Sequence, residues 1–210
     1  MTIQENIKRE NETCVMQFKV VYWGPGESGK TTNYIQLLKK YNKNKISKGF
    51  QIETTDHRTL WQDSVFLTFH TTILGKNYQF VIQITTCTGQ ERFLSTREYV
   101  LHGADGIIFV ADSHPDKMDA NYRSFRELLA FISGRNIPFL IQLNKRDLDN
   151  AVPVNQFKEI MGLPDSLVDE DEHYIVYPCV AIKGQDVYRI FHDLIEKILI
   201  RRFNPNRFMV

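Results

Sequence analysis

Two periodicities alternate along this chain. Short runs rich in β-branched and aromatic residues give way to segments whose apolar positions recur every three or four residues. QFKVVYWG (residues 17–24) reads as a strand, and GKTTNYIQLLKKY after it as a helix. SVFLTFHTTI and NYQFVIQITT are separated by LGK with Gly75 at the turn, which predicts an antiparallel hairpin. GIIFVAD and IPFLIQLNK are continuous apolar runs, the pattern of strands covered on both faces. Between them, ANYRSFRELLAFISG carries a helical stripe through Phe125, Leu128, Leu129 and Ile132. YIVYPCV reads as a last strand, and Val187, Ile190, Phe191, Leu194, Ile195, Ile198 and Leu199 form the apolar face of a C-terminal helix. No internal repeat is visible. The alternation predicts a single α/β, doubly wound domain over residues 17–200: a mostly parallel six-stranded sheet with one antiparallel strand and helices on both faces. Residues 1–16 are then an N-terminal extension and 201–210 a tail.

Composition narrows this picture little. The chain of 210 residues is long enough for one well-buried domain, and its formal net charge of +1 gives no general attraction for nucleic acid or an anionic membrane. No apolar run approaches the roughly 20 residues of a membrane span. The N-terminal residues lack an apolar signal core, Thr2 follows Met1, and the terminal RFMV has no prenylation cysteine, so neither a leader nor a lipid anchor is expected. Cys14, Cys87 and Cys179 are far apart and suggest no disulfide framework; a reducing cytoplasm fits them. The six histidines show no metal-ligand spacing.

Doubly wound sheets bind ligands at the carboxyl ends of their strands, and the informative motifs stand there. After the first strand come Gly24, Pro25, Gly26, Glu27, Ser28, Gly29, Lys30 and Thr31, followed by Thr32. This satisfies G-x-x-x-x-G-K-[ST]. The glycines let successive N–H groups point inward at phosphate oxygens, and the helix that follows adds its positive end. Lys30 can reach the β- and γ-phosphates and the Thr31 hydroxyl can ligate Mg²⁺. Alone, the loop fits a GTPase, an ATPase or a small-molecule kinase. After the fifth strand stands Asn144-Lys145-Arg146-Asp147. The Asp147 carboxylate can accept from both N1–H and the 2-amino group of guanine. Adenine offers neither donor and would leave a buried acceptor unpaired. The stem of Lys145 can cover the base plane. Val180, Ala181 and Ile182, after the last strand, stand where backbone N–H groups would meet guanine O6.

With these motifs in place the chain resembles a Ras-superfamily small GTPase, a P-loop G domain, over about residues 17–200. It is similar to the MglA-type GTPases of bacterial and archaeal motility and cell polarity. GPGESGKTTN resembles their phosphate loop, and FVADS…M.AN (Phe109 to Asn121) and IQLNKRDL (Ile141 to Leu148) resemble that group outside the universal motifs. The resemblance implies roles for TTCTGQERF: Gly89 bonds the γ-phosphate through its N–H and Gln90 orients the attacking water. Three residues before Gly89, where Ras-like proteins carry an aspartate, stands Thr86, as in MglA-type proteins. Its hydroxyl can accept from a water of the Mg²⁺ shell but brings no negative charge, so weaker magnesium binding is expected. In ETTDHRTLWQD, Thr54, Thr55 and Thr59 are candidates for the threonine that meets Mg²⁺ and the γ-phosphate. Thr59 is chosen because D-x-R-T-L resembles the MglA pattern D-R-T-L. His57 is an extra residue in that pattern and leaves the register open by one. Arg58 then stands beside the phosphates as a cis arginine finger, with Glu27 placed to pair with it. Glu27 resembles the heterotrimeric Gα loop, and GQERF resembles Rab proteins. Cys87, beside the nucleotide loop, is read as a small core residue. The acidic run Asp165 to Glu172 is read as a solvated loop.

Three functions compete at this point. A hydrolysing GTP/GDP switch uses every motif, with slow intrinsic turnover and Mg²⁺. A GTP-binding scaffold that does not cycle would treat Thr86 as its lesion; Gln90, Lys30 and a switch threonine argue against it. A P-loop kinase has no use for N-K-x-D. The resemblance further implies a roadblock-type, MglB-like activating protein, effectors that bind the switch segments, and a cytoplasmic location with partners able to hold the protein at a membrane.

Overall fold

The sheet is built on β1 (Cys14–Trp23), whose side chains alternate between two cores. Phe18, Val20 and Tyr22 point to one face, and Val21 and Trp23 to the other, as a period of two requires. The computed structural model describes residues 13–46, 63–73, 75–87, 99–163 and 175–203. Switch residues Arg58, Thr59, Gly89 and Gln90, the acidic run and residues 204–210 lie outside these.

After β1 come α1 (Lys30–Lys40), the hairpin strands β2 (Ser64–Ile73) and β3 (Lys76–Thr86), β4 (Gly106–Asp112), α2 (Met118–Ile132), β5 (Phe139–Asn144), α3 (Val154–Met161), β6 (Val176–Pro178) and α4 (Val187–Phe203). They form one six-stranded sheet in the order β2-β3-β1-β4-β5-β6. β2 runs antiparallel to β3, and every other pairing is parallel. All seven residues of β4 and all six of β5 are buried, which explains their unbroken apolar patterns. Helices α1 and α4 cover one face through Leu37, Ile190, Phe191, Leu194 and Ile198. Helices α2 and α3 cover the other through Phe125, Leu128, Ile132, Phe157 and Met161. The α/β doubly wound expectation holds, including the single antiparallel strand.

Several boundaries differ from the expected ones. β1 begins at Cys14, ahead of the expected domain start at 17, because Cys14 to Met16 pair with Tyr78 to Phe80 of β3 while Val15 stays exposed. α4 runs to Phe203, past the expected end at 200, and the Phe203 ring meets Tyr78 edge-on at 5.7 Å. The last strand is limited to Val176–Pro178, since proline has no N–H with which to extend a ladder. α3 was not anticipated. Its eight residues bury Phe157 and Met161 only, and the chain stops at Gly162 in the left-handed region (φ 67°), where the Gly162 and Leu163 N–H groups donate to Glu159 and Lys158.

The face assignment of α2 predicts unequal costs on one helix. Phe125 is fully buried against Phe109, centroids 5.0 Å apart, whereas Tyr122 is 43% exposed. Denaturant unfolding should show Phe125→Ala destabilised by about 3–5 kcal/mol and Tyr122→Ala by less than about 1 kcal/mol.

Candidate nucleotide-binding site

The carboxyl ends of β1, β3, β4, β5 and β6 converge on one edge of the sheet, and the phosphate loop is the first turn there. Two of its glycines are obligatory for steric reasons. A Cβ at Gly24 (φ 149°) would lie 2.2 Å from the Val110 carbonyl oxygen, and one at Gly29 (φ 102°) would lie 2.2 Å from Asn144 Nδ2. The loop is therefore pressed against β4 and the base-side motif with no room for a side chain. Lys30 is buried; its Nζ donates to the carbonyls of Gly24 (3.0 Å) and Pro25 (2.6 Å), so the cation is held across the mouth of the loop. Gly29 itself starts α1: its carbonyl accepts from the Asn33 N–H (3.0 Å) and from Asn33 Nδ2 (2.9 Å). Thr32 lies in the first turn of α1 and Gly26 within the loop.

β5 ties this loop to the base side. Asn144 Nδ2 donates to the Ser28 carbonyl (2.8 Å), and its Oδ1 accepts from the Ala181 N–H (2.9 Å). The Ala181 N–H, expected to face guanine O6, is thus used by Asn144 in this arrangement, while Ile182 stands 72% exposed on the same short turn. Gln36 of α1 holds that turn by donating to the Ile182 carbonyl (2.9 Å). Lys145 adopts φ 64°, and its Nζ lies 2.7 Å from Oδ2 of the buried Asp112 at the end of β4. Asp147 is partly exposed, with Lys183 Nζ at 4.0 Å. Arg146 braces the loop through the carbonyl of Val152 (2.5 Å) and Ser113 Oγ (3.2 Å).

The end of β3 alters the expectation of a site lacking a carboxylate. Thr86 is fully buried, and its hydroxyl donates to Asp63 Oδ2 (2.8 Å). Thr31, the phosphate-loop threonine, donates to the same oxygen (2.8 Å). The Asp63 N–H donates back to Thr86 Oγ1 (3.1 Å), and the Thr86 N–H to the Asp63 carbonyl (2.9 Å). Asp63 directly precedes Ser64, which pairs with Thr85, so the antiparallel ladder sets Asp63 opposite Thr86. The negative charge absent from residue 86 is supplied one strand over. Nearby, Tyr34 donates to the Ser64 carbonyl (3.1 Å), and its phenol is pushed up to about 12 by burial and then by the Asp63 carboxylate. Two threonine hydroxyls and a buried carboxylate beside a phosphate loop are hard oxygen donors of the kind Mg²⁺ takes.

Two residues here were not anticipated. Asp63 follows a polar stretch and looks like part of it; its signal is its place immediately before a strand paired with Thr86. Gln142 is the other. It is fully buried in β5, and its Nε2 lies 3.0 Å from Asn33 Oδ1 and 2.9 Å from Cys179 Sγ. Its signal was a lone amide inside an apolar strand, which requires a partner. The Cys179 thiol is pushed up to about 12, chiefly by burial, and is therefore a neutral packing group beside the base-side turn. Cys87 is fully buried, as the sequence reading had it.

Comparison with known proteins agrees with this geometry. The ADP-ribosylation factor family matches residues 4–198. The mutual gliding-motility protein MglA of Myxococcus xanthus is 34% identical over 151 residues, covering 69% of this chain and 75% of that protein. ADP-ribosylation factor K of Dictyostelium discoideum is 29% identical over 57% of this chain and 62% of its own. ADP-ribosylation factor-like protein 2 of Drosophila melanogaster is 24% identical over 89% of this chain and 90% of its own. Matches of such extent, on a chain with this strand order and the motifs of the phosphate loop and N-K-x-D, show that the chain belongs to the ADP-ribosylation factor family of small GTPases and is of the MglA type.

Proposed function

We propose that this GTPase is a GTP/GDP switch that holds Mg²⁺ through Thr31, with Asp63 and Thr86 binding the water shell of the ion. The observation that carries the reading is the convergence of Thr31 and Thr86 on Asp63 Oδ2, both at 2.8 Å, beside an intact phosphate loop. A scaffold that had lost its metal site would have no need of that carboxylate. When bound, Mg²⁺ neutralises charge on the β- and γ-phosphate oxygens. The chain's own groups do the rest. Loop N–H groups and Lys30 bind the phosphates, and Asp147 reads the base. Thr59 and Gly89 sense the γ-phosphate, Gln90 orients the water, and Arg58 meets the charge that spreads over the transferring phosphoryl group. Intrinsic turnover is slow, and an activating protein of the roadblock, MglB-like type accelerates it. Similarity to a gliding-motility protein supports a role in cell polarity or motility, exercised in the cytoplasm with effectors that bind the switch segments and can hold the protein at a membrane.

Base reading by Asp147 predicts a change of ligand. Asp147→Asn replaces a double acceptor with an amide that mispairs with guanine and suits xanthine. Equilibrium binding should move from GTP toward XTP; unchanged GTP affinity would place the base elsewhere.

The relocated carboxylate predicts that Asp63→Asn weakens magnesium binding about tenfold or more, whereas Thr86→Val, which removes one neutral hydroxyl, does so by less. Titrating Mg²⁺ against a bound GTP analogue separates them. Equal Mg²⁺ midpoints for wild type and Asp63→Asn would end this account of the site.

Arg58→Ala should leave GTP affinity nearly intact while stimulated hydrolysis falls at least ~10²-fold, and Arg58→Lys should rescue poorly because an ammonium cannot make a forked contact. Single-turnover phosphate release in the presence of the activating protein reads this. Wild-type rates in the alanine variant would move the finger to the partner.

A further inference from the structure

Glu27 is an acid inside a loop built to hold phosphate. It occupies φ 66°, a left-handed conformation that residues other than glycine seldom adopt. Its carboxylate does not stand alone: Lys117 Nζ lies 2.9 Å from Oε2 and donates to it. The two residues are 90 positions apart in sequence, and both side chains are partly exposed, at 47% for Glu27 and 36% for Lys117. A pair so exposed adds little to fold stability. What it changes is the field at the mouth of the loop.

The lysine is delivered by a purpose-shaped turn. Asp112 ends β4, and its Oδ1 accepts from the His114 N–H (2.9 Å). The His114 side chain accepts from the Asp116 N–H (3.2 Å), and the His114 carbonyl accepts from the Lys117 N–H (3.0 Å). Pro115 opens the one-turn helix Pro115–Lys117, so the backbone angle there is preset. Asn121 of α2 clamps Asp112 from below, its Oδ1 accepting from the Asp112 N–H (3.0 Å) and its Nδ2 donating to the Asp112 carbonyl (2.8 Å). The other Asp112 oxygen carries Lys145 of the base-reading motif. One buried aspartate thus fixes both the lysine beside the base and the turn that sets a lysine over the phosphate loop.

We propose that Lys117 is a specificity-determining counter-ion: by pairing Glu27 it removes a like charge from the phosphate loop and so sets the preference between nucleoside triphosphate and diphosphate. The inference rests on the switch reading above. GTP carries more negative charge than GDP and extends it toward the loop mouth, so the Glu27 charge, no longer offset by Lys117, acts more strongly against the triphosphate. An uncompensated Lys117 acts in its favour. The signs of the two single substitutions are therefore opposite, and a merely structural pair would not behave so.

The test measures affinity for GDP and for a non-hydrolysable β,γ-imido analogue of GTP on the full chain, with Mg²⁺ present. Lys117→Ala should lower the analogue-to-GDP affinity ratio about fivefold, the scale of an exposed charge pair. Glu27→Gln should raise it by a similar factor. The double variant should return to within about twofold of wild type, and Lys117→Arg should keep the wild-type ratio. The shifts in the single variants should shrink between about 0.05 and 0.5 M salt, as screening requires. Parallel losses for both nucleotides in both single variants, or an unchanged ratio in Lys117→Ala, would overturn the proposal and leave the switch reading standing. A wild-type chain that bound neither nucleotide would overturn both.

Discussion

The amide of Asn144 is the contact on which the nucleotide site depends. It lies where the first side-chain atom of any residue other than glycine at 29 would have to be. From there it donates to the Ser28 carbonyl and accepts from the Ala181 N–H, joining the phosphate loop, the fifth strand and the base-side turn through one side chain. Buried amides of this kind are costly unless both ends are satisfied, and here both are. Two residues earlier on the same face of β5, Gln142 repeats the arrangement one layer deeper, reaching Asn33 and Cys179. Asn33 in turn grips the Gly29 carbonyl. The two amides are spaced by the strand period, so a single rigid strand sets the distance between where phosphate and base are held.

The magnesium side depends on register in the same way. Asp63 and Thr86 face one another because Ser64 pairs with Thr85, and in an antiparallel ladder a slip of one residue turns every side chain to the other face. Asp63 would then leave Thr31. The length of the hairpin, with its turn at Gly75, therefore bears on the Thr31–Asp63–Thr86 contacts far from the turn itself. The ladder brings Asp63 and Thr86 together in space although they are far apart in sequence.

The sequence made the α/β order, both faces of the sheet and the two universal motifs legible, because each rests on a local pattern. Continuous apolar runs marked β4 and β5, and the stripes on α2 and α4 recur in the structure as buried residues, with Leu129, Ile195 and Leu199 partly buried beside them. What escaped was non-local or short. The start of β1 is stabilised by pairing to β3 and leaves Cys14 and Val15 exposed. α3 buries too few residues to show a period. Asp63 gained its meaning only from the hairpin register, and Gln142 only from α1 and the segment after β6, which bring Asn33 and Cys179 to it. The expected pairing of Glu27 with Arg58 lies outside the described residues; its pairing with Lys117 needed the fold to bring the turn after β4 over the loop.

A common feature links these cases. Among the described residues, three acids around the phosphate loop are assigned to a basic or hydroxyl group: Asp63 to Thr31 and Thr86, Asp112 to Lys145, Glu27 to Lys117. A pocket for a highly charged anion cannot tolerate carboxylates that face it unpaired, since each would be a like charge in a site of reduced dielectric. It can use them as anchors for cations and hydroxyls that do face it. That argument supports the proposed reading of Thr86, in place of the usual aspartate, as part of a working site. The carboxylate is kept, set one strand away, and held by hydroxyls that a metal shell can share.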